Sequence, residues 1–253
     1  MRPAAKIAAG TVVVLATYVY LVLERPGASG TGALVALAGY LLGSVLIGLG
    51  AVDRLSTSSV TLIPVAMAIN IVVGQLALAT GIPLYLDSIG IVIAGVLAGP
   101  AAGAATGVLT CVIWGLTANP TIMPFAVTAA EIGVAAGLIG MLGGFRKPWW
   151  AALAGLLTGV VSALVSAPIS AFVYGGVTTS AGTTAITGAF QAYGASLFAA
   201  TTLQGLLSDP LDKTVTFTVA FVILLALPAR FRQRFAFARR YRVFATGVGS
   251  EGR

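Results

Sequence analysis

The sequence lacks histidine altogether and has a single cysteine, Cys111, in 253 residues. Histidine is the commonest general base and a frequent zinc ligand, so its absence removes the usual chemistry of membrane metalloproteases. A lone cysteine can build neither a disulfide framework nor a cysteine-based metal site. The sequence also contains no paired-carboxylate, Ser/His/Asp or glycine-rich phosphate-binding pattern. The chain is therefore predicted not to be an enzyme and to hold no metal or cofactor.

Charge is scarce as well: charged residues make up 8% of the chain, against about 25% in an average soluble domain. Hydrophobic residues make up 58%, in runs of roughly 20 residues that match the hydrocarbon thickness of a bilayer. These runs are continuous, whereas the strands of a membrane barrel alternate apolar and polar residues. The sequence therefore predicts an all-α integral membrane protein.

The few basic residues predict the orientation of the chain in the membrane. The net charge is +7, and most of the fourteen Lys and Arg residues lie in three groups. Basic residues beside membrane spans favour the cytoplasmic side and contact anionic lipids, so both termini are predicted to be cytoplasmic, with membrane lipids rather than nucleic acid as partners. The three groups are Arg2 with Lys6, Arg146 with Lys147, and the cluster Arg230, Arg232, Arg234, Arg239, Arg240 and Arg242.

Apolar runs and charge parity together predict eight membrane passages, two followed by six. The first run ends at Glu24-Arg25-Pro26 rather than at a small-residue cleavage site, so it is interpreted as a retained span and not as a signal peptide. Parity allows one crossing after residue 174: either 184–207 is re-entrant or interfacial, or it forms one broken passage with 214–227. The other predicted passages are 7–23, 33–52, 62–80, 88–99, 101–117, 122–142 and 149–174.

The polar breaks predict three parts along the chain. Residues 1–56 form an N-terminal two-span hairpin, 57–229 a six-helix membrane core, and 230–253 a basic cytoplasmic tail. Glycines four residues apart in several spans allow close helix approach, and packing inside the chain is favoured over a partner surface. These pairs include Gly39 with Gly43, Gly103 with Gly107, Gly133 with Gly137, and Gly155 with Gly159.

Polar residues inside spans are costly and are the first candidates for function. Asp87 precedes an apolar run, where it can cap the helix, shape a ligand site, or do both. Glu131 lies mid-span and either serves a ligand or hydrogen-bonds within the protein, for example to Asn70 or Gln75. Interhelical hydrogen bonding is the slightly favoured interpretation for those two amides.

Two further polar features are assigned structural roles. Trp114 is predicted to be an interfacial anchor at the outer end of its helix. The segment 208–213, Ser-Asp-Pro-Leu-Asp-Lys, is predicted to be a turn with an internal ion pair between two apolar stretches. Its lysine argues against a metal site by neutralising the carboxylates.

Several segments in order resemble the substrate-binding S components of energy-coupling factor (ECF) transporters, over about residues 62–228. They are AINIVVGQ at 68–75, LYLDSIG at 84–90 and GPAAG at 99–103, followed by NPT at 119–121, PFA at 124–126, SAPI at 166–169, YGGV at 174–177 and LLSDPLDK at 206–213.

This resemblance implies a six-helix bundle in a bacterial plasma membrane that captures a vitamin or similar micronutrient outside the cell. Delivery would then depend on a transmembrane coupling subunit and two ATPase subunits. The N-terminal hairpin is additional to that plan, and Asn70 stands four residues after Ala66, where the family typically has a second alanine on its coupling face. The predicted substrate-binding residues are Asn70, Tyr85, Asp87, Asn119, Glu131 and Gln191.

Two other functions remain open. The Asp-Ser-Ile-Gly piece also resembles the membrane input domains of some bacterial sensor kinases, so a ligand-sensing or regulatory protein without transport is the alternative. A membrane-embedded enzyme is a weaker third possibility, because the sequence shows no nucleophile or base arrangement. The ligand is expected near the outer surface, between residues 81–87, the outer part of 122–142 and the segment after Tyr174.

Overall fold

The protein is all-helical in a computed structural model that describes residues 2–26, 30–177 and 180–244. The helices are α1 (Pro3–Glu24), α2 (Thr31–Val52), α3 (Thr57–Thr80), α4 (Ile89–Ala98), α5 (Pro100–Thr117), a 3-10 helix (Pro120–Phe125), α6 (Ala126–Met141), α7 (Pro148–Phe172), α8 (Ala181–Ala192), α9 (Leu197–Ala226), α10 (Ala229–Arg232) and α11 (Ala236–Arg240).

Six helices in the described part of the chain are long and apolar enough to cross a membrane. They are α1, α2, α3, α5, α7 and the continuous 3-10 and α6 segment Pro120–Met141. The all-α membrane fold and the multi-pass architecture are therefore confirmed. Helix α9 has 30 residues, about 45 Å at 1.5 Å per residue, but three charged residues lie near its middle.

The predicted turn at residues 208–213 is wrong, because this segment lies inside the continuous helix α9. Pro210 has no N–H to donate, but close packing by α7 holds the helix together. A side-chain carbon on Gly155 or Gly159 would come within 2.4 Å of a backbone carbonyl oxygen of α9. Only glycine permits this approach, and the tertiary contact overrides the local tendency of proline to break a helix.

Residues 184–207 accordingly do not form half of a broken passage. Residues 181–192 form the short helix α8, and a new helix, α9, begins at Leu197. Residues 178–179, which belong to the predicted outer loop 175–183, lie outside the described residues.

The helix found at the predicted span 88–99 is too short to cross the membrane by itself. Helix α4 has 10 residues, so it is about 15 Å long and covers half of the hydrocarbon core. Residues Ile89 to Leu97 are all buried, and the loop of residues 81–88 precedes them. Gly99, with a φ of +95°, allows the chain to turn sharply from α4 into α5.

The four glycine pairs pack within the chain, as favoured from the sequence. Gly103 of α5 meets the backbone of Gly133 of α6, and Gly43 of α2 meets the backbone of α1. The hairpin of α1 and α2 is closed at one end by an ion pair of 2.7 Å between Lys6 and Asp53. Helix α2 then packs on α5, where Gly48 contacts Val108.

The chain after α9 folds back on the bundle rather than extending away from it. The side chain of Val243 is fully buried, and Phe237 of α11 lies against Gly99 at the end of α4. Arg146 donates two hydrogen bonds to the backbone carbonyl of Arg242. Residues 245–253 of the predicted tail lie outside the described residues.

Candidate functional site

A small cavity, lined by apolar side chains together with several polar and charged ones, lies within the bundle beside the loop of residues 81–88. The space open to the centre of a water molecule is about 80 Å³, which is room for a few waters. Residues from the loop and from six helical segments line it: Tyr85, Asp87, Ser88, Ile91, Thr110, Cys111, Trp114, Ile122, Phe125, Thr128, Ala129, Ile132, Ser162, Asp209 and Lys213.

The loop beside this cavity is held by the carboxylate of Asp212 on α9. Asp212 Oδ1 accepts hydrogen bonds from the backbone N–H groups of Tyr85 at 2.9 Å and Leu86 at 2.8 Å. Leu86 has a φ of +51°, a left-handed conformation that is unfavourable for a residue with a branched side chain. Asp212 is fully buried, so its two hydrogen bonds stabilise a strained loop at the edge of the cavity.

Lys213 ties the same loop to α9 through its ammonium group. Its Nζ lies 2.5 Å from Asp212 Oδ2, donates to Ser88 Oγ at 2.9 Å, and lies 3.6 Å from Asp87 Oδ1. The ion pair predicted within 208–213 is therefore present, although it sits on a helix and not in a turn. The ammonium group also connects that pair to the cavity residues Asp87 and Ser88.

Asn70 of α3 organises the start of α4. Its Oδ1 accepts from the N–H groups of Gly90 at 2.7 Å and Ile91 at 3.3 Å, while its Nδ2 donates to Thr110 on α5. The first N–H groups of a helix have no partner within the helix, so Asn70 supplies the cap that Asp87 was considered for. This is the interhelical hydrogen-bonding role favoured from the sequence. Asp87 is left free to face the cavity.

Two buried side chains of the cavity wall have no hydrogen-bond partner among the described residues. They are the indole Nε1 of Trp114, which is 1% exposed, and the hydroxyl Oγ1 of Thr128, which is 8% exposed. Trp114 is thus not the interfacial anchor that its sequence position predicts. Leaving such a group unpaired costs about 1–3 kcal/mol, so a polar partner inside the cavity, either water or a ligand, would stabilise both groups.

A second and larger concavity lies between α6 and α7, and the space in it that is open to the centre of a water molecule is about 720 Å³. Its walls carry exposed apolar side chains such as Leu142 and Leu157, which suit lipid chains. Glu131 lines this groove and accepts a hydrogen bond of 2.8 Å from Ser162. The partner of Glu131 is therefore Ser162, and not Asn70 or Gln75.

The structure brings together only two of the six predicted substrate-binding residues, Tyr85 and Asp87. Glu131 and Asn70 are placed as described above, outside the lining of the cavity. Asn119 accepts from the N–H and hydroxyl of Thr121 at the start of the 3-10 helix, and Gln191 is exposed on α8.

The segment after Tyr174 does reach the loop, as expected, because the Ser180 hydroxyl donates to the carbonyl of Ile82.

The cavity also contains functional candidates that the sequence assigned elsewhere: Asp209, Lys213 and Trp114. The available signal was the charge of Asp209 and Lys213 between two apolar stretches, which instead predicted a turn with an internal ion pair. Within the described ranges, no group of three or more metal-ligating side chains could hold a metal ion.

No protein-family model matches the chain, and neither a curated protein nor a solved structure matches it. The geometry and chemistry of the cavity are therefore the basis for the functional assignment.

Proposed function

We propose that this chain is the substrate-capture subunit of an ECF-type importer in a bacterial plasma membrane. It binds a vitamin or similar micronutrient outside the cell and presents it to a transmembrane coupling subunit and two ATPase subunits. Both termini are cytoplasmic in this proposal, in keeping with the basic residues beside the spans. The ordered sequence segments that resemble S components support the assignment.

The observation that carries the proposal is a cavity with charged and polar side chains in its wall, inside an otherwise apolar bundle. Buried charged and unpaired polar groups are expensive in a membrane protein and usually mark a substrate pathway or site. Here they converge beside the strained loop 81–88, to which Ser180 is hydrogen-bonded just before α8. A loop and a short helix next to a small cavity suit a cover that opens for the ligand and closes over it.

The sequence supplies no phosphate-binding loop, so in this proposal uphill transport draws its energy from the ATPase subunits. Proteoliposomes that contain only this protein should bind the ligand without concentrating it. Adding the coupling subunit and ATPases from the same organism, with ATP inside the vesicles, should produce uptake. Concentrative uptake by the protein alone, or none with all partners present, would contradict the proposed function.

One structural feature favours the alternative, ligand sensing without transport. Helix α4 begins beside the cavity residues Asp87 and Ser88 and ends at Gly99, against Phe237 of the folded-back C-terminal segment. Ligand binding at one end of α4 can therefore change packing at the other. A sensor would show a ligand-dependent change in protease protection of residues 229–244 together with no uptake in the full proteoliposome assay.

A further inference from the structure

The charges around the cavity are unequal in number and point to a class of ligand. Three carboxylates, from Asp87, Asp209 and Asp212, surround a single ammonium group, that of Lys213. Asp212 neutralises Lys213 at 2.5 Å and also holds the loop, so it belongs to the scaffold. Asp87 and Asp209 remain as the acidic groups that line the cavity.

Lys213 has little capacity left for an anionic ligand. Its ammonium group has three N–H donors, and it already faces Asp212, the hydroxyl of Ser88 and the carboxylate of Asp87. A carboxylate or phosphate entering the cavity would have to displace one of these partners. It would also meet the like charges of Asp87, whose side chain is 33% exposed, and of Asp209, which is 6% exposed.

Asp87 and Asp209, in contrast, accept few hydrogen bonds, and Asp87 shares the ammonium group of Lys213 with Asp212 at the longer distance of 3.6 Å. Among the described residues, the hydrogen bonds to their carboxylates are single contacts of 3.4 Å, from Ser88 to Asp87 and from Ser166 to Asp209. Asp209 is 6% exposed, so it has little access to solvent. Positive charge or N–H groups on a ligand would supply the missing partners.

Two unpartnered polar groups in the cavity wall are a second observation, independent of the carboxylates. Trp114 Nε1 and Thr128 Oγ1 are each more than nine-tenths buried, unpartnered among the described residues, and part of the cavity wall. The indole N–H can only donate, so it requires an acceptor atom on the ligand. The nearby rings of Tyr85 and Phe125 make the lining suitable for a flat aromatic ring.

We propose that the cavity, enlarged when the loop of residues 81–88 opens, binds a small aromatic organic cation, with its positive end at Asp87 and Asp209 and an acceptor atom at Trp114. Acidic micronutrients are thereby rejected. This inference rests on the proposed function of ligand capture, whose substrate class it names.

Three probes share a pyridine ring, whose nitrogen can accept from the indole N–H of Trp114, and differ in charge: pyridine-4-carboxamidine, pyridine-4-carboxamide and pyridine-4-carboxylate. Binding is measured by calorimetry and thermal shift on the full chain in detergent. We expect the amidine to bind at least tenfold more tightly than the amide, and the carboxylate not to bind. A preference for the carboxylate, equal affinity for the three, or binding of none would overturn the proposal.

Variants locate the binding on the proposed carboxylates. Asp87→Asn and Asp209→Asn each keep the side-chain shape and should weaken the binding of pyridine-4-carboxamidine at least tenfold, while Asp53→Asn, far from the cavity in the ion pair with Lys6, should not. Thermal unfolding without ligand checks that each variant is folded. Unchanged affinity for pyridine-4-carboxamidine in both folded cavity variants would overturn the assignment.

The outcome is distinguishable from that of the transport assay. Preference for the cationic probe without uptake in the proteoliposome assay would support the ligand class and contradict the importer. Uptake of an acidic substrate would support the importer and contradict the ligand class.

Discussion

Replacing Asp212 with alanine should destabilise the protein more than any other single carboxylate change. The substitution removes the acceptor for the N–H groups of Tyr85 and Leu86 and leaves the ammonium of Lys213 without its closest partner. Removing one member of a buried ion pair costs about 3–5 kcal/mol. The strained conformation of Leu86, of order 1–3 kcal/mol, then also loses its support, so the loop should open.

The loss of stability in Asp212→Ala is best judged against two matched variants. Asp212→Asn keeps an oxygen for the two N–H groups and loses only the charge opposite Lys213, so its cost should be intermediate. Asp53→Ala removes a carboxylate whose side chain is 41% exposed in its ion pair with Lys6, and surface pairs contribute about 0–1 kcal/mol. The order of stability should be Asp53→Ala, then Asp212→Asn, then Asp212→Ala.

The assay is thermal and denaturant unfolding in detergent, with proteolysis of the loop 81–88 as a local readout. Asp212→Ala should unfold at a clearly lower temperature and be cleaved faster in that loop. If Asp212→Ala were as stable as Asp53→Ala, the carboxylate would not be holding the loop, and the account of the site's architecture would be refuted.

Three further substitutions test other parts of the structure. Trp114→Phe removes the unpaired N–H and keeps a ring, so stability should hold while affinity for pyridine-4-carboxamidine falls about tenfold in calorimetry. Asn70→Leu leaves the first N–H groups of α4 unpaired and should cost about 2–4 kcal/mol in denaturant unfolding, whereas Asn70→Asp, which keeps the acceptor, should cost less. Gly159→Ala places a carbon 2.4 Å from the carbonyl of Asp209 and should lower the unfolding temperature, while Gly188→Ala, with open space around it, should not. Equal effects within any of these pairs, or an unaltered affinity for Trp114→Phe, would contradict the corresponding contact.

The membrane-spanning helices could be predicted from the sequence because lipid imposes a simple requirement. A span must be apolar and about 20 residues long, and α1, α2, α3 and α7 begin and end close to the limits of their apolar runs. The glycine pairs were informative for a similar reason, since close helix approach needs the absence of a side chain. Both rules act locally along the chain.

The features that failed depend on contacts between distant segments. Pro210 suggests a break, but Gly155 and Gly159 of α7 pack so tightly on this part of α9 that the helix continues. The role of Asn70 depends on the position of α4, which begins 19 residues later in the sequence. Asp87 was recognised from its position, while its neighbours in the cavity come from α5, α6 and α9 and share no sequence pattern.

The most direct test of ligand capture in this cavity is mass spectrometry of small molecules released from the purified, detergent-solubilised protein. The account predicts that wild type releases one small molecule in near-stoichiometric amount, and that Asp87→Ala, with at least about tenfold weaker affinity, releases far less. Asp53→Ala, outside the cavity, should retain the wild-type amount. Release of no small molecule by wild type, or the same amount from folded Asp87→Ala as from wild type, would contradict the claim.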